Sequence, residues 1–238
     1  MVGGRAVGTF GVASTYSFYP AHHMTTGEGG AVATDDPGWS RTVSSLREWG
    51  RDCWCAPGVN DACGRRFEGR FGELPEGYDH KYVFSELGFN FKVTDLQASL
   101  GLSQLAKVDA FAAARRRNFA RLHAALAAHA GALVLPRALA GAEPSWFGFP
   151  FALREGGARE RRDLQLFLQQ RAIDSRLILG GNLVRQPAYL GREHRVPAPL
   201  TGADRVTEAS LWVGVYPGLS EAMIDWIAES IGDWLGRS

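Results

Sequence analysis

The sequence lacks any long hydrophobic run. None of its windows approaches the roughly 18 consecutive apolar residues that suggest a membrane span. Its N-terminus has no continuous apolar core of signal-peptide length. It also lacks an excess of either charge, since 26 Lys and Arg residues against 25 Asp and Glu residues give a formal net charge of +1. Such a balance provides no overall field to attract nucleic acid or an anionic membrane. We therefore predict a cytoplasmic protein with neither of these as a partner.

Cysteine is scarce, and its three occurrences are clustered. Cys53, Cys55 and Cys63 follow a Cys-x-Cys-x7-Cys spacing. An odd, clustered set in a chain of cytoplasmic character argues against a structural disulfide framework and for metal ligation or redox chemistry. By themselves, three thiols leave an iron–sulfur cluster, a zinc site and simple packing open.

Periodicity predicts two domains, with a boundary near residue 130. In the first, residues 1–130, strands are expected within 6–19 and at Ala31–Thr34. Helices are expected from Asp36-Pro37 to about Trp49-Gly50, from Thr94, and over Val108–Ala128. Residues 51–86 between them are expected to be irregular. The second, residues 131–238, has an α+β pattern: strands at Trp146–Leu153, Ser175–Leu179 and Trp212–Tyr216, and helices at Glu160–Arg171, Thr207–Leu211 and Ser220–Leu235.

The run at residues 14–34 has the clearest chemical content. Ser17 and neighbouring backbone amides are suited to bind an anion, and His22 or His23 is suited to acid–base chemistry near neutral pH. By composition alone this signal is weak, because two adjacent histidines are more often surface or core residues than catalysts.

Several longer motifs resemble one protein family. Ser17-Phe18-Tyr19-Pro20 followed by Gly27-Glu28-Gly29-Gly30, and the stretch Leu87–Leu105, are similar to signatures of the DegT/DnrJ/EryC1/StrS sugar aminotransferases. The similarity continues through Pro144–Phe151 and Tyr216–Leu219. The resemblance implies an α/β, aspartate-aminotransferase-like fold of type I. Residues 1–130 would be the C-terminal part of the large cofactor domain, and residues 131–238 would be the small α+β domain.

His22 departs from the family at its central position, where the aminotransferases carry lysine. An imidazole cannot form the Schiff base that lysine forms with pyridoxal phosphate, but it can move a proton. The exchange is similar to that in the deoxysugar 3-dehydrases. It therefore implies a catalytic role for His22 and a non-covalently held pyridoxamine or pyridoxal phosphate.

The cysteines look like those of the iron–sulfur branch of these dehydrases. That likeness implies C3 deoxygenation of CDP-4-keto-6-deoxyglucose in lipopolysaccharide (O-antigen) biosynthesis, a flavin/iron–sulfur reductase as partner, and Cys53, Cys55 and Cys63 as ligands of a [2Fe–2S] cluster. In that branch a fourth cysteine lies upstream of the histidine segment, and this chain has no cysteine before Cys53. We therefore expect a fragment or a chain with a misplaced start.

The resemblance also implies roles for four further residues. Ser17 would donate to the cofactor phosphate, and Asn90 would do so from a neighbouring subunit, which implies a homodimer. Lys92 would contact phosphate or substrate, and Arg185 would bind the substrate diphosphate. A local turn cap at Asn90 and an ordinary surface ion pair at Arg185 stay open.

Two other functions stay open. One is a sugar aminotransferase, against which His22 counts. The other is a non-catalytic metal-binding fragment, in which the three cysteines hold zinc or nothing.

Overall fold

The computed structural model describes residues 1–56 and 58–237, which form two compact units. One comprises residues 4–106, and the other comprises residues 107–237 together with residues 1–3. The division therefore falls earlier than the boundary predicted near residue 130. The reason is the long helix Val108–Leu126, which packs against the closing helix of the second unit. The spacing of apolar residues predicts this helix, but it does not predict which helix packs against it.

The 4–106 unit has little regular structure. It contains β1 (Ala13–Ser17), β2 (Gly30–Thr34), α1 (Pro37–Arg47) and α2 (Asp95–Leu105). The two strands pair antiparallel as a hairpin. Helix α1 begins at Asp36, whose carboxylate accepts from the amides of Gly38 and Trp39. It ends before the predicted Trp49-Gly50, because both residues have a positive φ that a right-handed helix excludes.

The described residues 51–56 and 58–86 form the predicted irregular segment, in which a 3₁₀ turn lies at His80–Tyr82. Helix α2 follows and begins at Thr94. The Thr94 hydroxyl accepts from the Gln97 amide, and the Gln97 side chain accepts from the Thr94 amide. This reciprocal capping box satisfies two amides that the helix itself leaves unbonded.

The 107–237 unit places helices against a four-stranded antiparallel sheet. Its main elements are α3 (Val108–Leu126), β3 (Leu133–Val134), β4 (Gly148–Leu153), α4 (Ala158–Gln170), β5 (Ser175–Arg176), α5 (Thr201–Ala209), β6 (Ser210–Gly214) and α6 (Glu221–Leu235). The strand order is β3-β4-β6-β5. Leu122 and Leu126 of α3 join Phe149 of β4 and Ile224 of α6 in the core. Short 3₁₀ turns lie at Ala127–His129, Leu183–Arg185 and Pro187–Tyr189.

Two predicted elements of this unit were misplaced. The helix expected at Thr207–Leu211 is the end of α5, and the strand expected from Trp212 begins at Ser210. Ser210 and Leu211 extend as strand because they pair with β4 and are buried. That pairing is a long-range contact, which overrides local helical preference. In the described part of the chain, no helix is long and apolar enough to cross a membrane.

Candidate active site and cysteine cluster

The loop between β1 and β2 carries His22. The side chain is exposed, and its ring meets the Tyr19 ring edge-on with a centroid separation of 6.0 Å. The His22 amide donates to the Tyr19 carbonyl at 2.9 Å. Ser17 ends β1, and its hydroxyl accepts from the Tyr19 amide at 3.3 Å. The predicted phosphate donor and the predicted proton carrier therefore lie on one turn, linked through Tyr19.

Three polar side chains hold this loop. The Thr25 hydroxyl donates to the Phe18 carbonyl at 3.0 Å, and the buried Thr26 hydroxyl donates to the Glu28 carbonyl at 2.8 Å. From helix α2, the side-chain amide of Gln97 donates to the same Glu28 carbonyl at 2.9 Å. Sequence reasoning did not single out these residues. The adjacent threonines before the glycine turn were the available signal, because hydroxyls there commonly bond the local backbone.

Gly29 has a steric role in the same loop. A Cβ atom at this position would lie 2.3 Å from the Thr26 hydroxyl oxygen, far inside van der Waals contact. The Gly29 carbonyl also accepts from the Phe18 amide at 2.9 Å, which continues the hairpin ladder beyond the strands. Glycine at position 29 therefore leaves room for the Thr26 hydroxyl, which bonds within the loop that carries His22.

Asn90 and Lys92 lie beside the end of α1. Asn90 is exposed, and its backbone forms an isolated antiparallel bridge with Glu48. The Lys92 ammonium lies 3.2 Å from the Glu48 carboxylate, and Arg51 contacts the same oxygen at 3.1 Å. Glu48 thus fixes two cations next to each other. The predicted phosphate contact of Lys92 would have to compete with this ion pair.

Lys92 and two of the cysteines line one cavity of about 270 Å³. Its wall also includes Glu48, Arg51 and His80. Two thiols, an imidazole and six charged side chains line this cavity, which makes it polar and suited to ions or polar ligands. All of these residues belong to the 4–106 unit.

Cys63, His80 and Asp52 form a chain of polar contacts. The Cys63 sulfur lies 3.5 Å from Nε2 of the buried His80, and Nδ1 of His80 lies 3.8 Å from the Asp52 carboxylate. The Arg65 amide donates to the same sulfur at 3.5 Å. Asp52 also accepts from the Ser85 hydroxyl at 3.3 Å. The fold therefore places a buried imidazole beside a thiol.

An ion pair fixes the backbone that carries His80. Arg66 contacts both carboxylate oxygens of Asp79, at 2.6 and 3.0 Å, and its carbonyl accepts from the His80 amide at 3.2 Å. The Arg66 guanidinium lowers the pKa of the Asp79 carboxyl, mainly through these hydrogen bonds. A bidentate pair of this kind adds geometric precision as well as charge pairing.

All three cysteines are free thiols, and they differ in acidity. Burial raises the pKa of Cys53, whereas a hydrogen bond from the Ala62 backbone lowers the pKa of Cys55. Cys55 also interacts with the side chains of Cys53 and Cys63. The shifts favour the thiolate form, which is the ligand and nucleophile, at Cys55 over Cys53.

The predicted iron–sulfur cluster finds no support in this geometry. Within residues 1–56 and 58–237, no group of three or more His, Cys, Asp or Glu side chains is arranged to hold a metal ion. A cluster of this kind requires four ligands, and the chain contains three cysteines. The sulfur chemistry suits iron, but the described arrangement does not form a ligand set.

Arg185 belongs to the other compact unit. Its guanidinium lies 3.0 Å from both Asp204 and Glu208 of α5. The side-chain amide of the buried Asn182 also donates to the Asp204 carboxylate at 2.8 Å. This hydrogen bond, and after it the one from Arg185, lowers the pKa of Asp204. The surface ion pair left open for Arg185 is therefore present, and a substrate diphosphate would have to displace two carboxylates.

Comparison with known proteins identifies relatives along nearly the whole chain. The sequence model of the DegT/DnrJ/EryC1/StrS aminotransferase family matches residues 1–232. The dTDP-4-dehydro-2,6-dideoxy-D-glucose 3-dehydratase of Saccharopolyspora spinosa is 50% identical over 235 residues, covering 99% of this chain and 51% of the relative. The lipopolysaccharide biosynthesis protein RfbH of Salmonella typhimurium is 46% identical over 233 residues, covering 98% and 53%. This chain thus spans about half the length of these relatives.

Solved structures share the fold. The E. coli GDP-4-keto-6-deoxy-D-mannose-3-dehydratase with bound hydrated PLP superimposes with a TM-score of 0.80 at 23% identity, over 97% of this chain and 57% of that one. A DegT/DnrJ/EryC1/StrS aminotransferase from Brucella abortus gives 0.76 at 25% identity, over 99% and 54%. The predicted α/β fold of type I is confirmed.

Proposed function

Because the chain belongs to the DegT/DnrJ/EryC1/StrS aminotransferase family, we propose that it provides the histidine-bearing part of a pyridoxamine- or pyridoxal-phosphate-dependent sugar 3-dehydratase. His22, at the position of the family's lysine, carries this proposal. Two relatives of 50% and 46% identity support it, since one is named as a sugar 3-dehydratase and the other as a lipopolysaccharide biosynthesis protein.

Ser17 and His22 fit a phosphate-bearing cofactor. The Ser17 oxygen accepts from an amide, and its hydroxyl can at the same time donate to an acceptor such as phosphate. The cofactor, when bound, supplies the electron sink for breaking the C3–O bond. His22 has an exposed imidazole on a loop held by Thr26 and Gln97. Its part is to move a proton beside the cofactor ring without tethering the aldehyde.

The substrate is a nucleoside-diphosphate-linked 4-keto sugar. The cysteine motif predicts a CDP-linked sugar, whereas the 50% identical relative is named for a dTDP-linked one. Arg185 is the proposed contact for the diphosphate, and Lys92 and Asn90 are proposed to bind cofactor phosphate or substrate, Asn90 from a second subunit. Asn90 is exposed, which supports a contact beyond its own chain. A homodimer and a flavin/iron–sulfur reductase belong to the same proposal.

A chimera tests this function. This chain replaces the matching region of the Saccharopolyspora relative. The chimera is supplied with pyridoxamine phosphate, a flavin/iron–sulfur reductase with its electron donor, and either CDP-4-keto-6-deoxyglucose or dTDP-4-keto-2,6-dideoxyglucose. We expect mass spectrometry to show loss of the C3 oxygen from one of them. Replacing His22 with Leu should abolish that loss, whereas replacing His23 with Leu should retain it. An amino sugar as the product of the unaltered chimera would identify an aminotransferase instead.

We also propose that Cys53, Cys55 and Cys63 supply thiolates to an iron–sulfur cluster whose remaining ligand lies outside this chain. The support is the Cys-x-Cys-x7-Cys spacing, with Cys53 and Cys55 on the wall of one cavity. Anaerobic reconstitution of the chimera should give iron and sulfide together with visible charge-transfer absorption, and Cys55→Ser should reduce both. Zinc without iron or sulfide would indicate the metal-binding alternative.

A further inference from the structure

The loop that carries His22 is closed at its base by backbone bonds around Phe18. The Phe18 amide donates to the Gly29 carbonyl at 2.9 Å, and the Thr26 amide donates to the Phe18 carbonyl at 3.1 Å. Residues 19–25 therefore leave and re-enter the hairpin at fixed points, and His22 lies near the middle of them.

Thr26 is buried at this closure. It exposes 6% of its surface, and among the described residues of the 4–106 unit His80 is the other polar side chain in the buried class. The Thr26 hydroxyl donates to the Glu28 carbonyl at 2.8 Å. Because breaking that bond would leave a buried hydroxyl without a partner, Thr26 resists displacement from this position.

Helix α2 contacts Thr26 and its acceptor from one face. The side-chain amide of Gln97 donates to the Glu28 carbonyl at 2.9 Å, so this oxygen accepts two hydrogen bonds, as many as it has lone pairs. A Cβ atom at the buried Gly101 would lie 3.0 Å from the Thr26 methyl carbon. Gln97 and Gly101 are four positions apart and therefore neighbours on the helix surface. The base of the loop is thus held against α2 through both groups of the Thr26 side chain.

We propose that Thr26 is a positioning residue for His22, because its hydroxyl and its methyl group hold the base of the loop against α2. This role rests on the proposed function, in which His22 moves a proton. Proton transfer requires hydrogen-bond reach between the atoms that exchange the proton, and a misplacement of about 1 Å can slow a reaction about 100-fold. Thr26 acts through His22 and moves no proton itself.

Hydrogen exchange of the chain alone tests the structural part without any cofactor. Thr26→Val keeps the shape of the side chain but removes one donor to Glu28, so we expect faster amide exchange at residues 18–29. Thr26→Ser keeps the hydroxyl and should restore most of the protection. Thr42→Val is the matched control, because the Thr42 hydroxyl donates to the Gly38 carbonyl at 3.1 Å on the exposed helix α1.

An isotope effect tests the catalytic part in the chimera. Single turnovers are compared with pyridoxamine phosphate that is unlabelled or deuterated at the methylene carbon beside its ring. Thr26→Val should lower the rate constant for loss of the C3 oxygen roughly tenfold or more and leave the affinity for pyridoxamine phosphate within about twofold. It should also raise the isotope effect, because proton transfer becomes the slow step. A purely structural loss would reduce the amount of active protein and leave the isotope effect unchanged.

Gly101→Ala provides a second variant that does not depend on the folding of Thr26→Val. Alanine is a better helix former than glycine, so α2 itself is not weakened. The added Cβ atom would press on the Thr26 methyl group from 3.0 Å. We expect a slower single turnover and a larger isotope effect without a fall in the thermal unfolding temperature.

Two results would overturn the proposed role of Thr26. One is unchanged exchange at residues 18–29 when Thr26→Val folds. The other is a dehydrating chimera in which both Thr26→Val and Gly101→Ala leave the isotope effect unchanged. A chimera that does not dehydrate either sugar would instead overturn the proposed function, and the exchange measurement would still decide whether Thr26 holds the loop.

Discussion

At the scale of single residues, the Arg66–Asp79 pair controls the segment that carries His80. Because Arg66 lowers the pKa of Asp79, the folded carboxyl is more acidic than the unfolded one, whose pKa is about 3.9. The pair's contribution to stability is therefore fully present above the unfolded pKa. It is lost as the pH falls through the lowered folded pKa.

We predict that Arg66→Gln raises the pKa of Asp79 toward its ordinary value. Carbon-detected NMR titration of the Asp79 carboxyl measures this change. Arg70→Gln is the control, because Arg70 pairs with Glu76 in a separate and largely exposed contact. An unchanged Asp79 pKa in Arg66→Gln would contradict the assigned cause.

A second residue-scale prediction concerns the core. Leu126 is fully buried at the end of α3, so Leu126→Ala should lower the free energy of unfolding by about 2–5 kcal/mol. Leu139→Ala, at an exposed position, should change it by less than about 0.5 kcal/mol. Denaturant unfolding followed by tryptophan fluorescence compares the two. Equal effects would mean that the described burial of Leu126 is wrong.

At the scale of elements, the start of α2 depends on Thr94. Thr94→Ala removes the acceptor for the Gln97 amide and should destabilise the helix by about 1 kcal/mol. Gln97 also holds the His22 loop through Glu28, so protection from hydrogen exchange should fall at residues 25–28 as well. Hydrogen exchange measures both regions, and Thr94→Ser, which keeps the hydroxyl, should restore protection. Faster exchange in α2 without any change at residues 25–28 would contradict the predicted coupling between the helix and the loop.

At the scale of the whole molecule, the two compact units should differ in resistance to protease. The main core lies entirely in residues 107–237, whereas Val83 is the one buried hydrophobic among the described residues of 4–106. Proteolysis requires local opening, which is frequent where few apolar contacts oppose it. Limited digestion of the full chain should therefore cut first within residues 4–106 and leave a product that begins near residue 107. Mass spectrometry of the products identifies the sites, and early cleavage within α3 or α6 would contradict the prediction.

Local patterns in the sequence determined much of this protein. The period of α3, the cap of α6 at Ser220, the irregular segment over 51–86 and the glycine turn after β1 all depend on neighbours within a few residues. The family also followed from the sequence, because its signatures are contiguous motifs. The predicted exchange of lysine for His22, on which the proposed function depends, rests on the resemblance of contiguous motifs and needs no structure.

Only the tertiary structure decided which distant groups meet. It placed Cys63 beside His80, joined Gln97 to the loop that carries His22, and turned Ser210 and Leu211 into strand against β4. It also assigned α3 to the second unit through its packing on α6. These contacts join residues separated by 17 to 104 positions, and no local period or propensity encodes the partner at the far end.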